Sequence, residues 1–308
     1  MDELGALASD HPELLLITGD LGFGVLDDFR REHPAQFINA GVAEQNMTGM
    51  AAGLALSGRT VFTYSIANFP VIRCLEQIRN DVCYHGANVN IVAVGAGLAY
   101  GSLGPSHHGT EDVAVLRSLP GMVIYSPGDP VEARWATVSA TTTPGPSYLR
   151  LGRAGEPIVH ERTAQMCIGG SIALRVGGDV TLLSAGPGLP VVMEAAEQLG
   201  VQGIDAGVVS FQTLAPFDRD AVIAAATSSA LVVSVEEHSV TGGLGSAVAE
   251  VLAELDETVS PLLRLGFQGG FDFKVGDQDF LREQAGLDAA GIATSVAQRL
   301  ARRAPVRL

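Results

Sequence analysis

The chain has 308 residues, 47% of them hydrophobic and only 17% charged, with a formal net charge of -15. Its length fits two domains of roughly 150 residues each, with enough apolar material for a sizeable core in both. So acidic a balance argues against nucleic acid or an anionic membrane as partner, since both need a basic footprint, and no apolar run approaches the roughly 18 residues of a spanning helix.

In chain order, Leu14 to Thr18 reads as a buried strand with Asp20-Leu-Gly22 at its exit. Gly41-Val-Ala-Glu-Gln-Asn-Met47 then turns from an extended segment into a helix, on which Met47, Met50, Ala51, Leu54 and Ala55 recur with helical spacing. Gly49, Ala52 and Gly53 offer small surfaces for the close approach of another backbone. Glu44 falls in the first turn, where the helix dipole favours an acid. A second helix is expected from Pro70 to Tyr84, apolar at Val71, Leu75, Ile78 and Val82.

Asn90 to Val94 and Met122 to Tyr125 read as strands, separated by a glycine-punctuated loop that carries His107 and His108. Asp129-Pro-Val-Glu132 opens the helix from Val131 to Ala140 with a capping-box pattern. From Gly152 to Gly170 the chain is polar and without period. This gives a first domain over 1–155, a linker over 156–170 and a second domain over 171–308. In the second domain, strands at Val180 to Ser184 and Ala230 to Val235 alternate with helices at Pro190 to Leu199 and Gly245 to Leu255. Uniformly apolar strands alternating with helices predict α/β domains with parallel sheets covered on both faces. Ligands in such sheets sit beyond the carboxyl ends of the strands, where Asp20, the loop from Gly95 to His108, and Glu236 fall.

The three cysteines, Cys74, Cys83 and Cys167, show no paired spacing and suit reduced thiols in a cytoplasmic protein. His107 and His108 have no Cys or carboxylate cluster at zinc spacing beside them, so no metal is assigned to this chain. Phe69, ahead of Pro70, is either core near a helix start or an aromatic face for a ligand. Arg153 is either a solvated linker arginine or a fork of donors for an oxyanion.

Several motifs follow one another in the order and spacing of a single family. They are Asp20-Leu-Gly22, Gly41 to Met47, Gly104-Pro-Ser-His-His108, Arg117-Ser-Leu-Pro-Gly121, Ser126-Pro-Gly-Asp129, Leu151-Gly-Arg153, and Glu236-Glu-His-Ser239 followed by Gly242-Gly-Leu-Gly245. Together they resemble the C-terminal half of a transketolase, its pyrimidine-binding domain followed by its C-terminal domain. The resemblance implies that Glu44 hydrogen-bonds the aminopyrimidine of thiamine diphosphate, a role for which a mostly apolar pocket would suit the carboxyl. It also implies that Phe69 stacks on that ring, with Ile66 closing the pocket where many members carry another Phe. Asp20 matches a residue near the cofactor. His107 matches the histidine that reaches the reacting oxygens of the sugar, His108 a secondary polar contact, and Arg153 the position that holds the substrate's phosphate. Glu236, Glu237 and His238 receive no catalytic role.

The departures are as informative. Leu103 stands in place of an aspartate, Gly95 of a histidine and Gly24 of a phosphate-side serine, so the sugar grip is altered. Gly-Asp occurs at Gly19, Gly128, Gly178 and Gly276 but is never followed by Gly, and no Asn-Asn pair occurs. The family's diphosphate and divalent-metal site is therefore expected on a second polypeptide, an N-terminal transketolase subunit holding the cofactor's Mg. The expected assembly is a heterotetramer that moves a two-carbon ketol unit between sugars. The alternatives are a deoxyxylulose-phosphate-synthase-like enzyme, the beta-type subunit of a 2-oxoacid dehydrogenase, or a non-catalytic regulatory subunit. The Gly-Pro-Ser-His loop and the Arg-Ser-Leu-Pro run favour transketolase over the dehydrogenase.

Overall fold

Leu14–Thr18 forms the first strand, with all five side chains buried. The computed structural model describes residues 1–271 and 274–302, so the last six residues of the expected second domain, 303–308, lie outside the described residues. In the first domain the strands are β1 (Leu14–Thr18), β2 (Phe37–Asn39), β3 (Thr60–Ile66), β4 (Val89–Val94), β5 (Val123–Tyr125) and β6 (Ser147–Leu151). The helices between them are α1 (Asp2–Asp10), α2 (Asp27–Glu32), α3 (Glu44–Leu56), α4 (Asn68–Val71), α5 (Leu75–Gln77), α6 (Asp112–Leu116) and α7 (Pro130–Thr142).

The second domain continues with β7 (Ser171–Arg175), β8 (Val180–Ser184), β9 (Ala206–Phe211), β10 (Thr213–Ala215), β11 (Leu231–Ser239) and β12 (Leu262–Phe267). Its helices are α8 (Leu189–Val201), α9 (Arg219–Ser228), α10 (Leu244–Ala253), α11 (Gln278–Ala285) and α12 (Ala289–Ala301). Both domains are α/β, as the alternation predicts.

The sheets are mostly parallel, and each ends on one antiparallel strand. The first has the order β10-β5-β6-β4-β3-β1-β2 and the second β12-β11-β8-β9-β7. In the second, β7 pairs antiparallel with β9. In the first, β10 returns from beyond the linker and pairs antiparallel with β5, Thr213 opposite Tyr125. The two domains therefore share a sheet edge. They also share a core, in which Ile17, Met47 and Ile91 belong to the same apolar cluster as Leu183, Phe211 and Val248.

One expectation changes. The helix expected over Pro70 to Tyr84 is broken: α4 ends at Val71, α5 covers Leu75–Gln77, and Ile78–Cys83 is π-helical. That winding puts Val71, Cys74, Ile78 and Val82 into the core, all at 0% exposure, and leaves Leu75 at its margin. On α3, Ala52 is buried, but a Cβ on Gly49 or Gly53 would meet nothing within 4 Å, so among the described residues no backbone packs against them. Within the segment 156–170, His160 is buried between Asp129 and Glu132 at the start of α7.

Candidate active site

The carboxyl ends of β1, β2, β3, β4 and β6 meet along one edge of the first sheet, and most of the expected site residues are placed there. At the exit of β1, Asp20 adopts a left-handed backbone with φ 58°. Asn39, at the end of β2, holds that turn: its Oδ1 accepts from the amides of Asp20 (3.1 Å) and Gly41 (2.9 Å), and its Nδ2 donates to Asp20 Oδ1 (2.9 Å). The tied loops deliver the chain into α3, whose first residue is Glu44.

Glu44 is 4% exposed. A Cβ on Gly19 would stand 3.7 Å from its Cγ, so the bare backbone of the β1 exit is what lets the carboxylate pack there. One charged group reaches it. Arg73, in the turn between α4 and α5, places Nη1 2.8 Å from Glu44 Oε2. Burial disfavours a lone charge, and this guanidinium supplies the opposite charge that a buried carboxylate needs.

The same guanidinium lies over the ring of Phe69, 5.2 Å from its centroid. On another side Phe69 meets His107 edge-on, with ring centroids 5.3 Å apart and planes at 78°. His107 Nδ1 is 3.0 Å from Ser106 Oγ. A run of contacts thus joins Glu44, Arg73, Phe69 and His107. Ile66, half-buried, ends β3 just before this run. Cys74 Sγ donates to Phe69 O at 3.4 Å, and burial pushes its thiol up, so it is a packing group there.

The loop that carries His107 is closed at its neck by Gly97 and Gly109, which exchange backbone hydrogen bonds of 3.0 and 2.9 Å. Gly109 has no room for a side chain, because a Cβ would lie 2.8 Å from Ala67 Cβ. Asn68 clamps the loop by donating to the carbonyls of Ser106 (3.4 Å) and His108.

His107 and His108 therefore part company. His108 is 4% exposed and lines a cleft of about 540 Å³ between the domains, with Thr110, Glu111, Ser239 and Phe267. Leu103 is 53% exposed, in a short turn beside the β4 exit, and Arg153 is exposed just past β6. Ala96 N donates to Leu151 O (3.0 Å) and Gly95 N to Gly152 O (3.2 Å), so the Arg153 segment flanks the His107 loop.

Glu236, Glu237 and His238 remain inside β11 and are buried. Glu236 accepts from the amides of Leu244 (2.7 Å) and Gly245 (2.8 Å), which anchors the start of α10; burial nevertheless raises its carboxyl to about 7. Glu237 accepts from Leu98 N (3.1 Å) and pairs with Arg282, joining the His107 loop to the second domain. His238 Nδ1 is 2.7 Å from Ser239 O and its Nε2 3.3 Å from Ala114 N, an arrangement that only a neutral ring satisfies. Burial accordingly lowers it to about 4.

One cluster lay beyond the sequence motifs. His160 Nδ1 is 3.2 Å from Asp129 Oδ2 and its Nε2 3.1 Å from Glu132 Oε1, with all three side chains at 0% exposure. Burial alone would lower the imidazole, but the carboxylates of Asp129 and Glu132 on either side outweigh it and raise it to about 9. Asp129 is also the N-cap of α7 and accepts from the amides of Val159 and His160, while Glu132 accepts from Gly128 N, Ser210 and Gln212. With both ring nitrogens turned to carboxylates, the arrangement is that of a buried cation clasped by two anions. The Asp-x-x-Glu pattern was visible in the sequence, but its histidine partner was not.

Residues 1–155 match the family described as transketolase, pyrimidine binding domain, and residues 159–300 match transketolase, C-terminal domain. The chain belongs to the transketolase family. It is 40% identical over 255 residues to one of the subunits of the apulose-4-phosphate transketolase of Phocaeicola vulgatus, covering 82% of each chain. To the 6-deoxy-6-sulfo-D-fructose transketolase subunit SqwH of a Clostridium species it is 39% identical, over 86% of this chain and 81% of the relative. A solved structure described as a split gene transketolase, an inactive beta4 tetramer, superposes with a TM-score of 0.87 at 37% identity, over 97% of this chain and 96% of the other. The transketolase chain thus corresponds to the C-terminal subunit of split members of a thiamine diphosphate-dependent family. Among its described residues no helix is long and apolar enough to cross a membrane.

Proposed function

We propose that this chain is the pyrimidine-side subunit of a two-subunit transferase that moves a two-carbon ketol unit between sugars. The observation that carries the reading is Glu44: a carboxylate 4% exposed at the start of α3, beyond the strand ends, linked through Arg73 to the half-buried ring of Phe69. An acid in that setting beside an aromatic face fits the aminopyrimidine of thiamine diphosphate. On this reading Glu44, Phe69, Ile66 and Asp20 form the cofactor side, and His107, His108, Arg153 and Leu103 the substrate side. Thiamine diphosphate, when bound, supplies the nucleophilic carbon that ketol transfer needs.

The roles of the chain's own residues follow. Glu44 shares a proton with the pyrimidine, and Phe69 and Ile66 hold the ring and keep water from it. His107 meets the sugar oxygens, where an imidazole can act as proton donor or acceptor. Arg153, exposed beside the His107 loop, offers a fork of donors to an anionic group of the substrate.

The diphosphate and its Mg belong, in this reading, to an N-terminal transketolase subunit, and the working assembly is a cytoplasmic heterotetramer. The Gly-Asp runs that lack a following Gly support this, as does a neighbour described as inactive when it contains beta chains alone. The relatives named for apulose 4-phosphate and 6-deoxy-6-sulfo-D-fructose support a sugar other than the ordinary pentose phosphates. Mixing the chain with a subunit that carries Gly-Asp-Gly and Asn-Asn, then offering hydroxypyruvate or pyruvate, tests the reading. Consumption of hydroxypyruvate with transfer to an aldose is expected; use of pyruvate alone would point to a synthase or dehydrogenase instead.

A further inference from the structure

Arg73 touches both groups of the pyrimidine side and belongs to none of the motifs. Its Nη1 is 2.8 Å from Glu44 Oε2, and its guanidinium carbon stands 5.2 Å from the centre of the Phe69 ring. The arginine side chain is 51% exposed and the glutamate 4%. Surface ion pairs contribute little, because water competes for both partners. Here one partner is buried, and removing the cation would leave an uncompensated charge inside the fold.

A guanidinium can serve two partners at once because it is flat, with donors along its edge and a face that stacks on aromatic rings. Arg73 spends an edge on Glu44 and a face on Phe69, so the angle between carboxylate and ring is set through it. Only Oε2 is engaged: among the described residues no hydrogen-bond donor reaches Glu44 Oε1. The backbone supports this geometry. The break between α4 and α5 puts Cys74, next in the chain, in the core at 0% exposure and leaves Arg73 outside, at the lip of the site.

We propose that Arg73 is a positioning residue for ketol transfer: it holds Glu44 and Phe69 in one mutual arrangement and leaves Glu44 Oε1 to meet the cofactor ring. The proposal rests on the reading of Glu44 as the pyrimidine-side acid. Arg73 acts through Glu44 and needs no contact with the sugar.

The test uses the complex with the diphosphate-binding subunit and measures both thiamine diphosphate affinity, by calorimetry, and kcat at saturating cofactor. Arg73→Met keeps the apolar stem and removes the fork. It should lower kcat by roughly 10- to 100-fold, the scale of a misplaced reacting group, and change the cofactor Kd by less than about threefold. Arg73→Lys keeps the charge without the planar fork and should recover part of that kcat. In a Glu44→Gln background Arg73→Met should slow the reaction little further, since coupled residues are not additive. Should the methionine variant fail to fold, the partial kcat of the lysine variant decides alone. Tighter cofactor binding with full kcat would overturn the proposal, because Arg73 would then occupy the place of the ring. Unchanged kcat and Kd would overturn it too, making the ion pair incidental. A wild-type complex that binds no thiamine diphosphate would instead defeat the reading beneath it, and that failure shows in the control before any variant is made.

Discussion

The ring of Tyr100 lies against the α-carbon of Gly95, so close that a Cβ there would be 2.3 Å from Tyr100 Cδ2. Gly95 also has φ +90°, in the region that side chains rarely adopt. The glycine that replaces a family histidine at the β4 exit is therefore not spare room, since an aromatic ring five residues on has taken the volume. Gly95→Ala should destabilise the chain by at least about 1–2 kcal/mol from the backbone alone. Adding Tyr100→Ala should relieve the clash but not the backbone cost. Urea denaturation checks this, and an alanine variant as stable as wild type would contradict it.

His160 gives stability a sign in alkaline solution. Its folded value, about 9, lies above the ordinary 6.5, so its contribution is fully present below about 6.5 and is lost as pH rises through 9. His238, at about 4, has finished titrating below this range, and Glu236, at about 7, adds to the fall only up to about pH 8, so His160 carries most of the change from 7 to 9. Wild-type stability should fall by a few kcal/mol across that window. His160→Gln should be less stable at pH 6.5 and should lose clearly less stability from 7 to 9, with its profile nearly flat above about 8. Equal slopes for the two proteins would refute the clasp.

Glu44→Gln should reduce ketol transfer by at least about 100-fold in the assembled enzyme, the usual cost of losing an acid-base group, with the fold intact by circular dichroism. The amide still donates a hydrogen bond but cannot share an ionisable proton. His107→Ala should slow transfer more than it weakens cofactor binding. A mutant at Glu44 with near-normal turnover would mean the acid lies elsewhere.

Much of the molecule was legible in the sequence because the signals were local. The limits of β1 and β8 were read to the residue from unbroken apolar runs bounded by polar ones, and Glu44 stood out through its flanking motif. What was not legible depended on partners distant in sequence. β10 has three residues and no pattern of its own, and it becomes a strand only by pairing with β5. Cys74 rather than Leu75 takes the buried place between Val71 and Ile78, and since either fits a 3.6-residue period the pattern alone does not choose between them. His160 lies in a polar stretch without period, and nothing local marks it as the partner of Asp129 and Glu132. Arg73 carried one usable sign: an arginine four residues after an aromatic, near an acid-bearing helix.

Leu103 stands where the family has an aspartate, and its 53% exposure means that it serves no core. Leu103→Asp should therefore leave the melting temperature nearly unchanged and raise the preference for xylulose 5-phosphate over a deoxy or unphosphorylated analogue by about tenfold or more. A site that hydrogen-bonds a hydroxyl discriminates strongly against sugars that lack one. No change in the ratio of kcat/KM values would show that the partner subunit sets specificity.

Ketol transfer and thiamine diphosphate binding, measured on the chain alone and again after adding the diphosphate-binding subunit, test the central claim most directly. The account predicts weak cofactor binding and no transfer by the isolated chain, with both appearing on mixing and saturating at equal amounts of the two subunits. Robust turnover by the single purified chain would contradict it.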